Sequence, residues 1–267
     1  MTGKKSNTII ALCGKGGVGK TTTSALIVRA LIEDSSKRVL AIDADPAVGL
    51  ATALKINVKT TVDDIRNRFI ELLEKGGAGD RDQVLGLLDY EMTGALYENN
   101  NLAFLSIGRP ETDGCYCQVN DLLKDIIAAI AENFDYVVID AEAGVEQVNR
   151  RVLEKVTHLI VISDLSAEGI KAAETIYGVA VEAVGFDRAG LIINRVRDQE
   201  ELKMVTLPSN ILFLGTIPED SEIRNADIEE KNFLTIEGTP AFAAVKKALS
   251  VLGVAGFDTN TLSGESS

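Results

Sequence analysis

Apolar and polar positions along this chain fall into two kinds of run. Residues 8–13, Thr-Ile-Ile-Ala-Leu-Cys, form a short, unbroken apolar stretch rich in β-branched side chains, the pattern of a strand buried on both faces. Residues 21–34 instead repeat apolar side chains at helical spacing through Ala25, Leu26, Val28, Leu31 and Ile32. A glycine-rich loop separates them, so the chain opens as strand, loop, helix. Further strand-like runs stand at 38–42, 102–107, 136–139, 159–162, 190–193 and 211–214, and helical periods at 62–74, 118–133, 145–155, 167–184 and 240–252. Residues 61–101 read as helical in pieces, interrupted by a glycine-rich surface loop at 75–82, and 108–116 is rich in turn formers. Strands that are apolar on both faces and alternate with helices predict an α/β fold: a mostly parallel seven- or eight-stranded sheet with helices on both faces.

Length and composition narrow this picture. The chain has 267 residues, 46% of them hydrophobic, enough for one α/β domain over residues 1–252, with a small, polar tail at 253–267 expected to be flexible. A formal charge of −13 disfavours a nucleic-acid partner, whose phosphates would meet mostly carboxylates. No apolar run reaches the ~18 residues of a membrane span, and residues 259–267 lack a basic amphipathic helix. Lys4-Lys5-Ser6-Asn7 leads directly into the first strand, which reads as structure and not as a signal peptide. Three cysteines, Cys13, Cys115 and Cys117, are too few for a disulfide scaffold and point to a reducing, cytoplasmic setting. Cys13, inside the first strand, reads as a small buried side chain, and the single histidine, His158, as structural.

The chemistry starts in the first loop. Gly14-Lys15-Gly16-Gly17-Val18-Gly19-Lys20-Thr21 fits G-x-x-x-x-G-K-[ST] and is followed by Thr22. Glycines at this spacing let successive backbone N–H groups converge on phosphate oxygens, Lys20 neutralises them, and the Thr21 hydroxyl suits Mg²⁺. The helix that follows adds its positive end. Asp43 and Asp45 lie at the carboxyl end of the second strand and Asp140 at the end of the 136–139 run, the edge where open α/β sheets bind ligands. Asp140 reads as the carboxylate that holds the magnesium. The lesser alternative is that a carboxylate in such a place merely caps the next helix.

Cys115-Tyr116-Cys117 raises a second possibility. One chain offers two thiolates where a tetrahedral site takes four, and a two-fold dimer would supply the other pair, giving a sulfur site suited to Zn²⁺, Ni²⁺, Cu⁺ or an iron–sulfur cluster. A position just ahead of the 118–133 helix would lower the thiol pKa. Two small side chains packed at a helix start explain the same residues equally well.

The tract Lys15-Gly-Gly-Val-Gly-Lys-Thr-Thr22 resembles the deviant Walker A P-loop ATPases, which include septum-positioning and partitioning ATPases, tail-anchored-protein targeting ATPases and the nitrogenase iron protein. That resemblance implies ATP and ADP with Mg²⁺ as ligands, a nucleotide-sandwiched homodimer, and a lysine, here Lys15, that reaches the partner's phosphates. It also implies that Asp45, followed by Pro46, orients the attacking water, that Asp43 supports the metal and phosphate site, and that Gly144 places a backbone N–H by the γ-phosphate. Asn194-Arg195 and the loop around Pro218 and Glu219 match the base-contacting positions. Gly114-Cys115-Tyr116-Cys117, Asn120, Leu122-Leu123, Glu142-Ala143-Gly144-Val145-Glu146 and Arg150 resemble the nickel-insertion accessory ATPases of carbon monoxide dehydrogenase and acetyl-CoA synthase. The likeness runs from Ile9 to about Leu252. It implies Ni²⁺ or Zn²⁺ held at the dimer interface by Cys115 and Cys117, with one of those nickel enzymes as client. An iron–sulfur-bridged redox ATPase, a partitioning ATPase and a nucleotide-dependent scaffold are the competing readings; the nitrogenase iron protein, unlike this chain, uses widely separated cysteines.

Overall fold

Each apolar run becomes a strand: β1 (Thr8–Gly14), β2 (Val39–Asp43), β4 (Leu102–Ser106), β5 (Tyr136–Asp140), β6 (His158–Ser163), β7 (Arg188–Val196) and β8 (Leu212–Pro218). The computed structural model describes residues 7–75, 81–109, 117–141, 152–153, 155–183 and 185–257. An eighth strand, β3 (Tyr97–Asn99), lies on one edge. The order is β3-β4-β2-β5-β1-β6-β7-β8, parallel throughout except for β3 against β4. Tyr-Glu-Asn has no apolar run to announce it; it becomes a strand because Asn100, at φ 53, turns the chain back so that Tyr97 pairs with Phe104.

Five long helices follow the predicted periods: α1 (Lys20–Leu31), α3 (Val62–Glu74), α5 (Cys117–Ala131), α6 (Ala167–Ala183) and α9 (Pro240–Leu252); α4 (Arg81–Ala95) lies in the stretch read only as helical in pieces and starts inside the expected 75–82 loop. Three short helices, α2 (Gly49–Ala53), α7 (Gln199–Lys203) and α8 (Ser221–Ile228), and a 3₁₀ turn at Phe233–Thr235 are too brief to show a period in sequence. Of the helix expected at 145–155, only residues 152, 153 and 155 are described: Val152 and Leu153 are buried, and Lys155 bridges to Gly185. β7 is longer than the predicted 190–193, so Asn194 and Arg195 lie within the strand and not beyond it. The apolar core Leu191–Ile193 had marked only its centre, because its ends are polar.

Alternation along the strands splits the core in two. Ala11, Cys13, Leu40, Ile42, Val137 and Ile139 face a layer built from α3, α4, α5 and α6, while Ile10, Leu12, Val39, Ala41 and Val138 face α1, α2, α8 and α9. Cys13 is buried with its thiol directed at the Ile160 carbonyl, as expected of a core side chain. β1 sits at the centre of the sheet between β5 and β6, with Leu12 paired to Asp140 on one side and Ile160 on the other. The glycine loop therefore leaves the sheet at its middle, flanked by the ends of the neighbouring strands.

Candidate nucleotide-binding site

The loop between β1 and α1 is shaped by what side chains it lacks. Gly14 approaches Ile162 so closely that a Cβ there would overlap its carbonyl, and Gly19 has φ 93 and touches the Asn194 amide. Gly19 is also the N-cap of α1, and being glycine it makes no side-chain cap; the first turn of α1 carries no acidic residue. Its neighbours differ: α8 is capped by Asp220 and α9 by Thr239. The unsatisfied N–H groups and positive end of α1 thus point out of the loop, an arrangement that favours an anion. Lys20 is almost wholly buried at the first helical position, and its ammonium donates to the Lys15 carbonyl at 3.2 Å, lying along the loop. Val18 is buried in the core and anchors the loop from below. Thr21 and Thr22 are half-buried on the first turn of α1.

Beside the loop, two carboxylates share one rung of the sheet. Asp43 and Asp140 are register partners at the ends of β2 and β5, and both are fully buried. Asp43 accepts from the backbone N–H of Leu50 (2.9 Å), Ala51 (3.2 Å) and Asp45 (3.2 Å), so it does cap α2. Burial first, and then the charge of Asp140, push its carboxyl from 3.8 up to about 7. Asp140 accepts from the Ser24 hydroxyl at 2.9 Å, and its Oδ2 is buried without a hydrogen-bond partner. Burial raises Asp140 to about 6, although Thr21, Ser24 and the Lys20 charge pull the other way. The Thr21 hydroxyl acts on this carboxyl but falls short of hydrogen-bond geometry. Oxygen donors only, one of them a buried carboxylate oxygen left unpaired, fit a hard divalent cation such as Mg²⁺. Asp45 is half-buried just outside this pair, and its carboxylate accepts from Ala47 N at 2.9 Å.

The opposite flank of the loop opens into a cavity of about 530 Å³ lined in part by Thr22, Asn194, Arg195, Pro218 and Glu219. Five residues expected near a nucleotide from scattered parts of the sequence thus share one wall. Asn194, however, is engaged with the loop: its amide donates to the Val18 carbonyl at 2.8 Å, and its Oδ1 accepts from Arg195 N at 2.9 Å. Arg197 pairs with Glu219 at 2.5 Å across the same cavity.

Lys15 is 42% exposed at the mouth of the loop and pairs with Glu168 of α6 at 2.9 Å. Gly144 and Cys115 lie outside the described residues; Cys117 is the first residue of α5, and its side chain lies outside them too. Among the described residues no three His, Cys, Asp or Glu side chains gather as a metal site. His158 stands at the far, amino edge of the sheet with its ring Nδ1 2.8 Å from Thr157 Oγ1. Sequence reasoning did not single out Ser24, although it follows Lys20 by one helical turn on the buried face of α1. It also passed over Arg66, which is buried on α3 and whose Nε donates to Asn120 Oδ1 on α5 at 2.7 Å. Among the described residues no helix is long and apolar enough to cross a membrane.

A family model described as the CobQ/CobB/MinD/ParA nucleotide binding domain matches residues 9–233. The chain is 35% identical over 224 residues to an uncharacterised ATP-binding protein of Methanocaldococcus jannaschii, covering 83% of this chain and 88% of that protein. It is 28% identical over 228 residues to the carbon monoxide dehydrogenase accessory protein CooC of Rhodospirillum rubrum, covering 82% and 86%. Its fold is similar to the septum site-determining protein MinD of Pyrococcus horikoshii complexed with Mg-ADP, at TM-score 0.62 and 21% identity over 94% of this chain and 98% of that one.

Proposed function

The chain belongs to the CobQ/CobB/MinD/ParA nucleotide-binding family, and on that premise we propose that it is an ATP-hydrolysing metallochaperone whose homodimer carries Ni²⁺ or Zn²⁺ between paired Cys115 and Cys117 residues. The observation that carries the nucleotide half is the desolvated Asp43/Asp140 pair beside the uncapped end of α1. Thr21 and Asp140 would hold Mg²⁺, which supplies charge neutralisation of the phosphates. The backbone N–H groups of residues 16–19 bind the β- and γ-phosphate oxygens, and Lys20 moves from the Lys15 carbonyl to the phosphates. Asp45 orients the attacking water, with a backbone N–H from Gly144 on the γ-phosphate. Lys15, exposed at the loop's mouth, reaches the phosphates bound by the second subunit and completes the charge compensation that phosphoryl transfer needs.

The metal half draws support from the likeness to a carbon monoxide dehydrogenase accessory protein and from the way α5 is tied to the phosphate site. Ile107 N donates to the Asp43 carbonyl at 2.8 Å, Asp63 N at the start of α3 donates to the Ile107 carbonyl at 2.9 Å, and Arg66, one turn on, bonds Asn120. Asn120 is three residues after Cys117, so an unbroken set of bonds leads from Asp43 to the helix that Cys117 begins. ATP and metal would then stabilise the same closed dimer, each raising the affinity for the other. Hydrolysis opens it and releases the metal, as cargo, to a carbon monoxide dehydrogenase or acetyl-CoA synthase cluster. The similarity of the fold to a septum site-determining protein favours a second reading, an ATP-switched positioning dimer with no metal cargo.

The cysteine variant decides between them, and Lys15→Ala tests the nucleotide half that both share. In the metallochaperone reading, Cys115→Ser/Cys117→Ser protein loses about one bound Ni²⁺ per dimer and its metal-induced dimerisation while keeping MgADP affinity; unchanged nickel binding would sink that reading. Lys15→Ala protein should bind MgADP as a monomer with near-normal affinity and lose ATP hydrolysis, which a phosphate-release assay reads directly.

A further inference from the structure

At its tip, Gly16 and Gly17, the phosphate loop has no side chain to hold its peptide planes. Nothing lies within 4 Å of where side chains at Gly16 or Gly17 would stand, and Gly17 has φ 82. Glycines in open space carry the greatest conformational freedom, yet anion binding requires consecutive N–H groups aimed at one point. In a trans peptide, the carbonyl of one residue and the N–H of the next face opposite ways. A group that holds the Gly17 carbonyl outward therefore turns the Val18 N–H inward, and one that holds the Val18 carbonyl does the same for the Gly19 N–H.

Both carbonyls are held, and by adjacent residues of β7. Asn194 donates to Val18 O at 2.8 Å, and Arg195 Nη1 donates to Gly17 O at 3.1 Å. Arg195 is placed there by a break in the sheet. Ile193 pairs with Thr216 and Val196 with Pro218, so β7 spends one residue more than β8 between these rungs, and Arg195 takes up the excess at φ 59. Such a bulge re-aims a side chain. An arginine in the left-handed region, where glycine is the undemanding choice, is a local strain that points to a use. Asn194 helps to sustain it by accepting Arg195 N.

We infer that Arg195 is a positioning residue of the phosphate loop, acting through the Gly17 carbonyl and not on the base. The inference rests on the nucleotide-binding half of the reading above. Arg195→Gly removes the guanidinium while suiting the backbone, and Arg195→Lys keeps one charged donor. The measurements are calorimetric affinities for MgADP and AMP and the melting temperature of the nucleotide-free protein. A charge-assisted hydrogen bond lost from the loop should weaken MgADP about tenfold in Arg195→Gly, and Arg195→Lys should regain most of it. AMP, which keeps base and ribose, should be weakened far less. The nucleotide-free Arg195→Gly protein should melt no lower than wild type, because the left-handed strain is relieved. Three results would overturn the inference: AMP weakened as much as MgADP, MgADP within about twofold of wild type, or a lower melting temperature with an ADP loss that lysine does not restore. Wild-type protein that failed to bind MgADP would instead overturn the nucleotide reading itself.

Discussion

Asp140→Asn should make the nucleotide-free protein more stable at neutral pH while abolishing its response to Mg²⁺. The structure supplies the reason: Asp140 is fully buried, one carboxylate oxygen has no hydrogen-bond partner, and the carboxyl is raised from 3.8 to about 6. A carboxyl whose folded pKa lies above its unfolded value binds its proton more tightly in the folded state. Its contribution is therefore fully favourable below about 3.8 and is lost as pH rises through about 6. Above that, keeping the charge buried costs on the order of 3 kcal/mol, at about 1.36 kcal/mol per pH unit between the two values. Asparagine keeps the shape and an acceptor for Ser24 and carries no charge. The gain in Asp140→Asn should thus be about 3 kcal/mol at pH 8 and about half that at pH 5, where wild-type Asp140 is largely protonated. Urea unfolding at the two pH values, with and without MgADP, measures it. MgADP should add much less stability to the variant than to wild type, since the orphaned oxygen that suits a cation is gone. A variant that is equally or less stable than wild type at pH 8 without nucleotide, or a gain that is the same at pH 5 and pH 8, would refute the reasoning. Asp43, held at about 7 by burial and by Asp140, works in the same direction, so wild-type stability without ligand should fall between about pH 4 and 7.

Two further expectations follow from the packing. Gly19→Ala places a Cβ on the Asn194 amide at φ 93; the backbone term alone is about 1–2 kcal/mol, so the melting temperature should drop and MgADP binding weaken, and a variant with both unchanged would mean that the loop relaxes freely. Asn120→Ala takes from buried Arg66 an acceptor at 2.7 Å and should cost about 1–3 kcal/mol in chemical denaturation; if α3 transmits nucleotide occupancy to α5, the factor by which a non-hydrolysable ATP analogue raises Ni²⁺ affinity should fall toward one, measured by metal titration with and without the analogue.

Local pattern determined a great deal of this protein. Unbroken apolar runs gave seven of the eight strands, because a strand covered on both faces has no polar positions to confuse the signal. The long helices other than α4 showed their period, and the phosphate loop is contiguous in sequence, so its residues are legible without any fold. The carboxylates at the ends of the 38–42 and 136–139 runs were readable for the same reason: the carboxyl end of a parallel strand is where ligands bind.

What the tertiary structure decided are the relations between distant segments. β3 exists only through its pairing with β4, and the short helices only through the turns that cap them. That Asp43 and Asp140 share a rung, and are pushed up in pKa together, depends on β2 and β5 being neighbours although 97 residues separate those two carboxylates. The sequence offered Asn194 and Arg195 as residues at a strand's end facing a base. The fold puts them inside β7, at a bulge, holding two carbonyls of a loop about 177 residues earlier. Spacing along the chain can announce a donor or a carboxylate, but hydrogen bonds and desolvation are short-ranged, so only packing settles which group it meets.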